Sequence, residues 1–420
     1  MKLLYTLTAT VLFATSVYAQ TPSLDYGTGD HPTDRYSAPV CDLVPEADNH
    51  SQVEFLKNSL VSFTSRDKRF HVEFGGRVEA RVAYDFDGII NHMDFIPAAI
   101  EMNSPNDQKF RIDASTCVFH VQGHVDAGCF GPIEFFVSND FRGGEEDHYI
   151  PRIRSAYVAF KGFLIGRHAK TFCDMDSSPI TIDFEMPNAF TYNFGTQVRW
   201  THRFAKKHLE FGVAIEMPNV TGTYNEHFSE LSQRTPDVPI YLQYEWGKEL
   251  MSHVRLSGLL RNLYYRNNIL EKNQSQFAWA AQLSGHLRPC RALDIYMTGI
   301  YGRGFSDYVL DLIGSGLDLT PDPQDPTQMI VRPMWSWQAG VQVNLSKRVF
   351  VTGGYSEADV DQMHSRNDQY QRGQYLFGNV FYDLTPHFTL AGEYLYGSRE
   401  NMSGEKNHAN RIQMMVKYKF

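Results

Sequence analysis

The sequence predicts an all-β fold: a transmembrane antiparallel β-barrel of 16 strands, with short periplasmic turns and long external loops. Three observations carry this expectation. Residues 70–86, FHVEFGGRVEARVAYDF, alternate apolar and polar for 17 residues, whereas ordinary strands run about five or six. Beyond the first twenty residues no apolar run reaches the roughly eighteen residues of a spanning helix, but a spanning strand needs only about ten alternating ones. The connections between alternating segments are short and long by turns, as an up-and-down barrel requires.

Residues 1–19 read as a signal peptide. Lys2 supplies the charge, Leu3 to Val17 the apolar stretch, and Val17-Tyr18-Ala19 the small-residue cleavage site. Residues 20–69 are expected to be a partly disordered periplasmic extension, rich in Pro, Asp and Ser, with a short helix in SQVEFLKNSLVSF. The barrel is expected over residues 70–420. In its first strand Val78, Ala80, Val82 and Tyr84 face one side, and Arg77, Glu79 and Arg81 the other. The pattern recurs. Val198, Trp200 and Phe204 oppose Gln197, Arg199 and Arg203. Ile240, Leu242 and Tyr244 oppose Tyr241, Gln243 and Glu245. Phe277, Trp279 and Leu283 oppose Gln276, Gln282 and Ser284. Trp335, Trp337 and Val341 oppose Ser336, Gln338 and Gln342. Glutamines and small residues on the polar face suit a wet lumen, and the aromatic content of 14 % suits interface girdles.

Seven short connections, among them Lys161-Gly162, and eight long ones, among them residues 87–108, 171–193 and 304–332, join 16 strands. The last strand, Ala409 to Phe420, is expected to pair with the first, because backbone groups in lipid must be bonded and the sheet must close. A net charge of −9 without a basic run excludes nucleic-acid binding. Five cysteines, at 41, 117, 129, 173 and 290, form neither a zinc motif nor a dense disulfide framework, and leave open one unspecified disulfide.

The polar face carries a basic ladder: Arg77, Arg81, Arg111, Arg152, Arg154, Arg199 and Arg203. An arginine against hydrocarbon costs about 2–4 kcal/mol at the midplane, so these side chains are expected to point inward and line a pore. The plainer alternative is structural pairing with Glu73, Glu79, Asp113 and Glu134.

Residues 154–188, RSAYVAFKGFLIGRHAKTFCDMDSSPITIDFEMPN, are more specific. Arg154, Ala156 and Tyr157, then Leu164 and Gly166, then Phe172, Asp174, Pro179, Ile182, Asp183 and Phe184, followed by Gln197-Val198-Arg199, resemble the DcaP-like outer-membrane porin family. Residues 95–101, FIPAAIE, resemble that family's first loop. Arg167 follows Gly166 where the family pattern has Gln. The resemblance implies a trimeric 16-stranded channel linked to dicarboxylate uptake, located in the outer membrane of a Gram-negative bacterium. A terminal aromatic residue, here Phe420, resembles the signal read by the outer-membrane assembly machinery. The connection 171–193 follows the fifth strand, where general porins carry an inward constriction loop. Phe172, Asp174, Asp176, Asp183 and Glu185 are its candidate constriction residues.

The functional expectation is passive diffusion of small hydrophilic charged solutes, biased to anions such as carboxylates and dicarboxylates. A surface adhesin or structural barrel with a closed lumen is the alternative. No catalytic residue, cofactor or metal is expected: GxSxG and HExxH are absent. His120, His124 and Asp126 on one strand face, and Asp322 with Asp325, are weaker hints of a hydrolase or a cation loop.

Overall fold

The computed structural model describes residues 61–87, 93–103, 108–128, 131–144, 148–205, 208–247 and 251–420. The expected signal peptide, most of the N-terminal extension, Cys41 and Cys129 lie outside the described residues.

The strands, in order, are β1 (Val61–Thr64), β2 (Phe70–Asp87), β3 (Lys109–Asp113), β4 (Val118–Asp126), β5 (Pro132–Asp140), β6 (Arg152–Phe160) and β7 (Phe163–Ala169). There follow β8 (Phe194–Phe204), β9 (Leu209–Glu216), β10 (Phe228–Glu230), β11 (Val238–Trp246), β12 (Ser252–Asn267), β13 (Lys272–Cys290) and β14 (Leu293–Arg303). The last are β15 (Thr320–Pro321), β16 (Met329–Ile330), β17 (Pro333–Asn344), β18 (Val349–Val360), β19 (Tyr370–Thr385), β20 (Phe388–Asn401) and β21 (Lys406–Lys419).

Sixteen antiparallel staves form one closed barrel. β3 and β4 are two halves of a single stave, both paired with β2. β11 pairs directly with β9, and β17 with β14, so the short strands β10, β15 and β16 belong to loops. β21 returns to β2, Val416 opposite Ala80, and leaves no open edge within the ring.

Alternation follows the difference between the two faces. Val78 and Val82 project outward with 49 % and 37 % of their surface exposed, whereas Arg81, between them, is fully enclosed inside. Ile240, Leu242, Leu256, Leu283 and Val341 continue the apolar outer face.

Local chemistry sets the ends. Lys161 and Gly162 both have positive φ, 48° and 83°, the pair of conformations a two-residue type I′ hairpin needs. The seam closes through reciprocal backbone bonds between Gly76 and Phe420, 2.9 and 3.0 Å. A Cβ on Gly76 would lie 2.5 Å from the Val118 carbonyl, so the seam depends on a glycine there. Phe420 also packs its ring 6.0 Å from that of Phe119.

One expectation is corrected. Val61, Ser62 and Phe63, read as the end of a short helix, belong to β1, which pairs antiparallel with β2, Phe63 opposite Val72. Val61 and Phe63 continue the outer apolar stripe, with Phe63 set against the buried Val72, and β1 bonds the edge of β2 that lies beyond the reach of β21.

Candidate functional site

Residues 170–193 run inside the barrel and are fastened to one wall. The apolar residues of this loop drive it there. Phe172 packs among Leu259, Ala280, Ile300 and Tyr308, and Ile180 and Ile182 among Phe350, Phe381, Ala391 and Met415. Its backbone is then bonded by wall side chains. The Glu393 carboxylate accepts the N–H groups of Ile182 (3.0 Å) and Asp183 (2.9 Å). Asn379 donates to the Ile180 carbonyl (2.8 Å) and Gln338 to that of Ser177 (3.0 Å). The glutamines and small residues read as a wet face on these strands are mostly covered by the loop, which they bind.

The candidate constriction residues divide between docking and exposure. Asp174 is buried and accepts bonds from Ser284 (2.5 Å) and His253 (2.9 Å). Asp183 is buried and accepts from Tyr375 (3.0 Å) and from the Phe95 backbone (3.1 Å). Burial beside Asp94 and Glu393 lifts the Asp183 carboxyl to about 7. Phe172 and Glu185 are also buried. Asp176 is half-buried, together with Met175, Ser178, Phe184, Tyr192 and Asn193. Burial raises the carboxyl of Asp176 to about 7.

Sequence reasoning missed two further inward segments. Residues 304–332 bury Phe305, Tyr308, Val309, Leu312, Leu317 and Leu319. They meet the first loop through Leu310 N–H to Phe190 O (3.0 Å) and Asn188 to Asp311 (2.9 Å). Residues 93–100 join both, since Ala98 N–H donates to Asp311 (2.7 Å) and Phe95 N–H to Asp183. The signal was present in the sequence: Phe305, Tyr308, Val309, Leu312, Leu317 and Leu319 are large apolar residues in a connection expected to be external. Arg261, fully enclosed, bonds Asp237 (3.1 Å) and, within residues 304–332, Asp318 (3.2 Å).

The opposite wall, β2 to β9, carries all seven arginines of the ladder. Five hold carboxylates. Arg77 lies 3.7 Å from Glu79, and Arg81 lies 2.8 Å from Asp113 and 3.4 Å from Asp94. Arg111 shares Asp85 with Arg411, at 3.4 and 2.5 Å. Arg152 grips Asp140 with two bonds, 3.0 and 2.7 Å. Arg203 bridges Glu210 (2.6 Å) and Glu245 (3.3 Å). Among the described residues, Arg154 and Arg199 have no carboxylate within 4.0 Å. A bulge opposite Ser138 and Asn139 lets both Arg154 and Ser155 turn inward. Arg154 donates to the Tyr192 hydroxyl (2.6 Å) and lies between the rings of Phe184 (5.3 Å) and Phe194 (5.4 Å). Half-buried inward side chains gather on this wall: Arg77, Gln122, His124, Arg154, Tyr157, His168 and Arg203.

The weaker hints do not assemble. Among the described residues no three His, Cys, Asp or Glu side chains are placed to hold a metal. Asp325 spends its oxygens on Thr327 and Gln328 in its own turn. Cys117, Cys173 and Cys290 are free thiols.

The chain matches the family described as DcaP outer membrane protein over residues 54–310, more than half of its length. It belongs to the DcaP outer membrane protein family. The barrel is therefore an outer-membrane porin of a Gram-negative cell. Among solved structures, the DcaP channel of Acinetobacter baumannii superposes with a TM-score of 0.76 at 18 % identity, over 86 % of this chain and 100 % of that one. The anion-selective porin of Comamonas acidovorans gives 0.54 at 11 %, over 84 % and 100 %. Salmonella typhi OmpF, in complex with daunomycin, gives 0.53 at 10 %, over 85 % and 100 %. At these identities the likeness is one of fold. No curated protein sequence matches this chain.

Proposed function

We propose that this DcaP-family porin passes small charged solutes by diffusion, with a bias to anions such as carboxylates and dicarboxylates. The observation that carries the reading is the pair of inward guanidiniums, Arg154 and Arg199, that no carboxylate among the described residues neutralises at contact distance. A guanidinium is permanently charged and shaped to hold a carboxylate by two parallel bonds. In a narrow, low-dielectric passage such charges raise the local concentration of anions without tight binding. Arg77, Arg81, Arg111, Arg152 and Arg203 work differently in this reading. Paired with acids, they set the shape of the wall and contribute little net charge. Of the loop acids, Asp176 faces the passage, while Asp174 and Asp183 fix the loop in place.

The closed-barrel alternative draws on a specific feature, the packing of residues 93–100, 170–193 and 304–332 against each other inside the ring. One measurement separates the two. The purified chain in a planar bilayer between unequal salt concentrations should conduct, and its reversal potential should favour chloride over potassium. Absence of current at every potential establishes the closed barrel, and a cation-favouring potential removes the anion bias. The proposed assembly is a homotrimer, which unheated electrophoresis and native mass measurement test directly.

A further inference from the structure

On the outside of the barrel, the sheet from β12 to β17 carries an aromatic row toward its external end. Tyr301 stands opposite Trp335 and packs its ring 5.9 Å from that of Trp279. Rings of this kind settle at the headgroup level of a membrane. Arginines follow directly beyond. Arg303, the last residue of β14, comes two residues after Tyr301 on the same face and is exposed. Arg266, near the end of β12, comes two residues after the outward Tyr264. Arg234, in the connection before β11, is exposed and holds its guanidinium 5.5 Å from the centroid of the Tyr264 ring.

These cations differ from the outward charges on β18 to β21. There Arg372 is bonded to Asp359 at 2.8 Å, Lys406 to Glu400 at 3.0 Å and His408 to Asp87 at 2.9 Å. Along β11 to β14 every second residue faces out, and none of those is Asp or Glu. Among the described residues, Arg234, Arg266 and Arg303 have no carboxylate within 4.0 Å. Arg266 donates to the neutral Asn273 side chain at 3.3 Å. A ring beneath a guanidinium, as Tyr264 lies beneath Arg234, leaves the N–H edge free to bond an anion. All three arginines face away from the lumen, so a solute in the passage does not meet them.

We infer that this outer patch binds the phosphate groups of a phosphorylated lipid in the outer leaflet, with Arg303 at one end and the pair Arg234 and Arg266 at the other. Guanidiniums grip phosphate with two parallel bonds. Charge complementarity selects an anion, and the surface below the arginines selects a lipid. Leu256, Leu260, Phe277, Leu283 and Met297 are all exposed there and need acyl chains to cover them. The two ends are separate contacts. Arg303 lies opposite Trp279, and Trp279 opposite Leu260, which comes six residues before Arg266. At about 3.3 Å per residue and 4.8 Å per strand, the Cα atoms of Arg303 and Arg266 are about 22 Å apart. Losses at the two ends therefore combine independently.

The test titrates the full-length protein in detergent with bisphosphorylated lipid A, and separately with the same lipid stripped of its phosphates. Native mass measurement counts the lipid retained. One arginine near a negatively charged lipid surface contributes about 5-fold in affinity, so three should favour the phosphorylated form by about 100-fold. Arg303→Gln should weaken its retention about 5-fold, and Arg234→Gln with Arg266→Gln about 25-fold. Arg372→Gln, which removes a cation already paired, should leave retention unchanged. Equal retention of the two lipids by the parent, a result that needs no substitution, overturns the site. So does a triple variant that still migrates as a heat-modifiable barrel and retains the phosphorylated lipid as the parent does. Dissociation of that variant into single chains would give the arginines to a second copy of the chain and overturn the lipid site as well. None of these outcomes depends on current through the barrel, so the channel reading stands or falls separately.

Discussion

The two sides of the barrel interior use the same residue types for opposite ends. On β12 to β20 the inward polar side chains are buried because a loop lies on them. Gln338, Asn379 and Glu393 spend their bonds on backbone groups of residues 177–183. On β2 to β8 the inward polar side chains pair along the wall or with residues 93–103, and several remain half-buried. Polarity of a barrel's inner face therefore does not identify its water path. What distinguishes the two sides is whether a partner backbone with unbonded N–H and C=O groups needs that polarity.

The largest effect should come from removing what the covered side holds. Deletion of residues 174–188 exposes that wall to water and should raise single-channel conductance well above the parent value while weakening ion preference. The check is bilayer conductance of a variant that still migrates as a heat-modifiable barrel. A folded variant that conducts like its parent would place the narrowest point elsewhere.

Next is Arg261, enclosed on the covered side between Asp237 and Asp318. Arg261→Met leaves two buried carboxylates without their cation. It should cost about 3–5 kcal/mol, read as a lower urea midpoint in detergent micelles. Glu393→Ala should have an effect of the same order, because each of the two loop N–H groups it leaves unbonded costs about 1–3 kcal/mol. Its diagnostic sign is a noisier open-channel current, since the loop loses two of its anchors.

The two arginines at the other end of the comparison should separate in a reversal-potential measurement. Arg199→Ala removes an uncompensated charge and should shift the potential toward cations. Arg203→Ala releases Glu210 and Glu245 from the same partner, so its shift includes the exposure of those acids and any lost packing. Equal shifts from both substitutions would mean that contact pairing does not decide which arginines the passing ion meets.

The last effect is pH dependence of loop docking. Asp183 titrates near 7 in the folded barrel, against 3.8 for a free side chain. A raised carboxyl favours the protonated form when docked, so its contribution is complete below about pH 4. It declines as pH rises and is lost by about pH 7. Current noise recorded between pH 4 and pH 7 should grow in the parent and stay flatter in Asp183→Asn.

The staves were legible because lipid and water impose a two-residue period on every strand they bound. Val78 against Arg77 and Leu283 against Gln282 show it directly. The broken stave was less legible, since Ala114 to Cys117 interrupts the alternation between β3 and β4. The inward course of residues 170–193 could be expected by resemblance, but its anchors could not. Glu393 lies 210 residues from Asp183, and nothing local marks the pair. Pairing of Arg81 with Asp113 was open to a sequence argument, because both fall on the inner face of neighbouring strands. Pairing with Asp94 was not, because that residue comes from a loop. The inward course of residues 304–332 was not legible because a connection without a period offers only composition, and its large apolar side chains name no partner.

The seam between β2 and β21 has a kinetic consequence. Asp85 and Arg411, bonded across it, are 326 residues apart in the chain. No earlier hairpin can supply that contact, and loop-closure entropy must be met before it forms. The ring is therefore expected to shut last. Until then the assembling sheet has two naked borders, each a row of unbonded backbone groups open to any passing strand. Refolding into lipid should show a slow final phase that tracks burial at Phe420, and Gly76→Ala, which crowds the Val118 carbonyl, should lengthen that phase more than any substitution in the middle of the sheet.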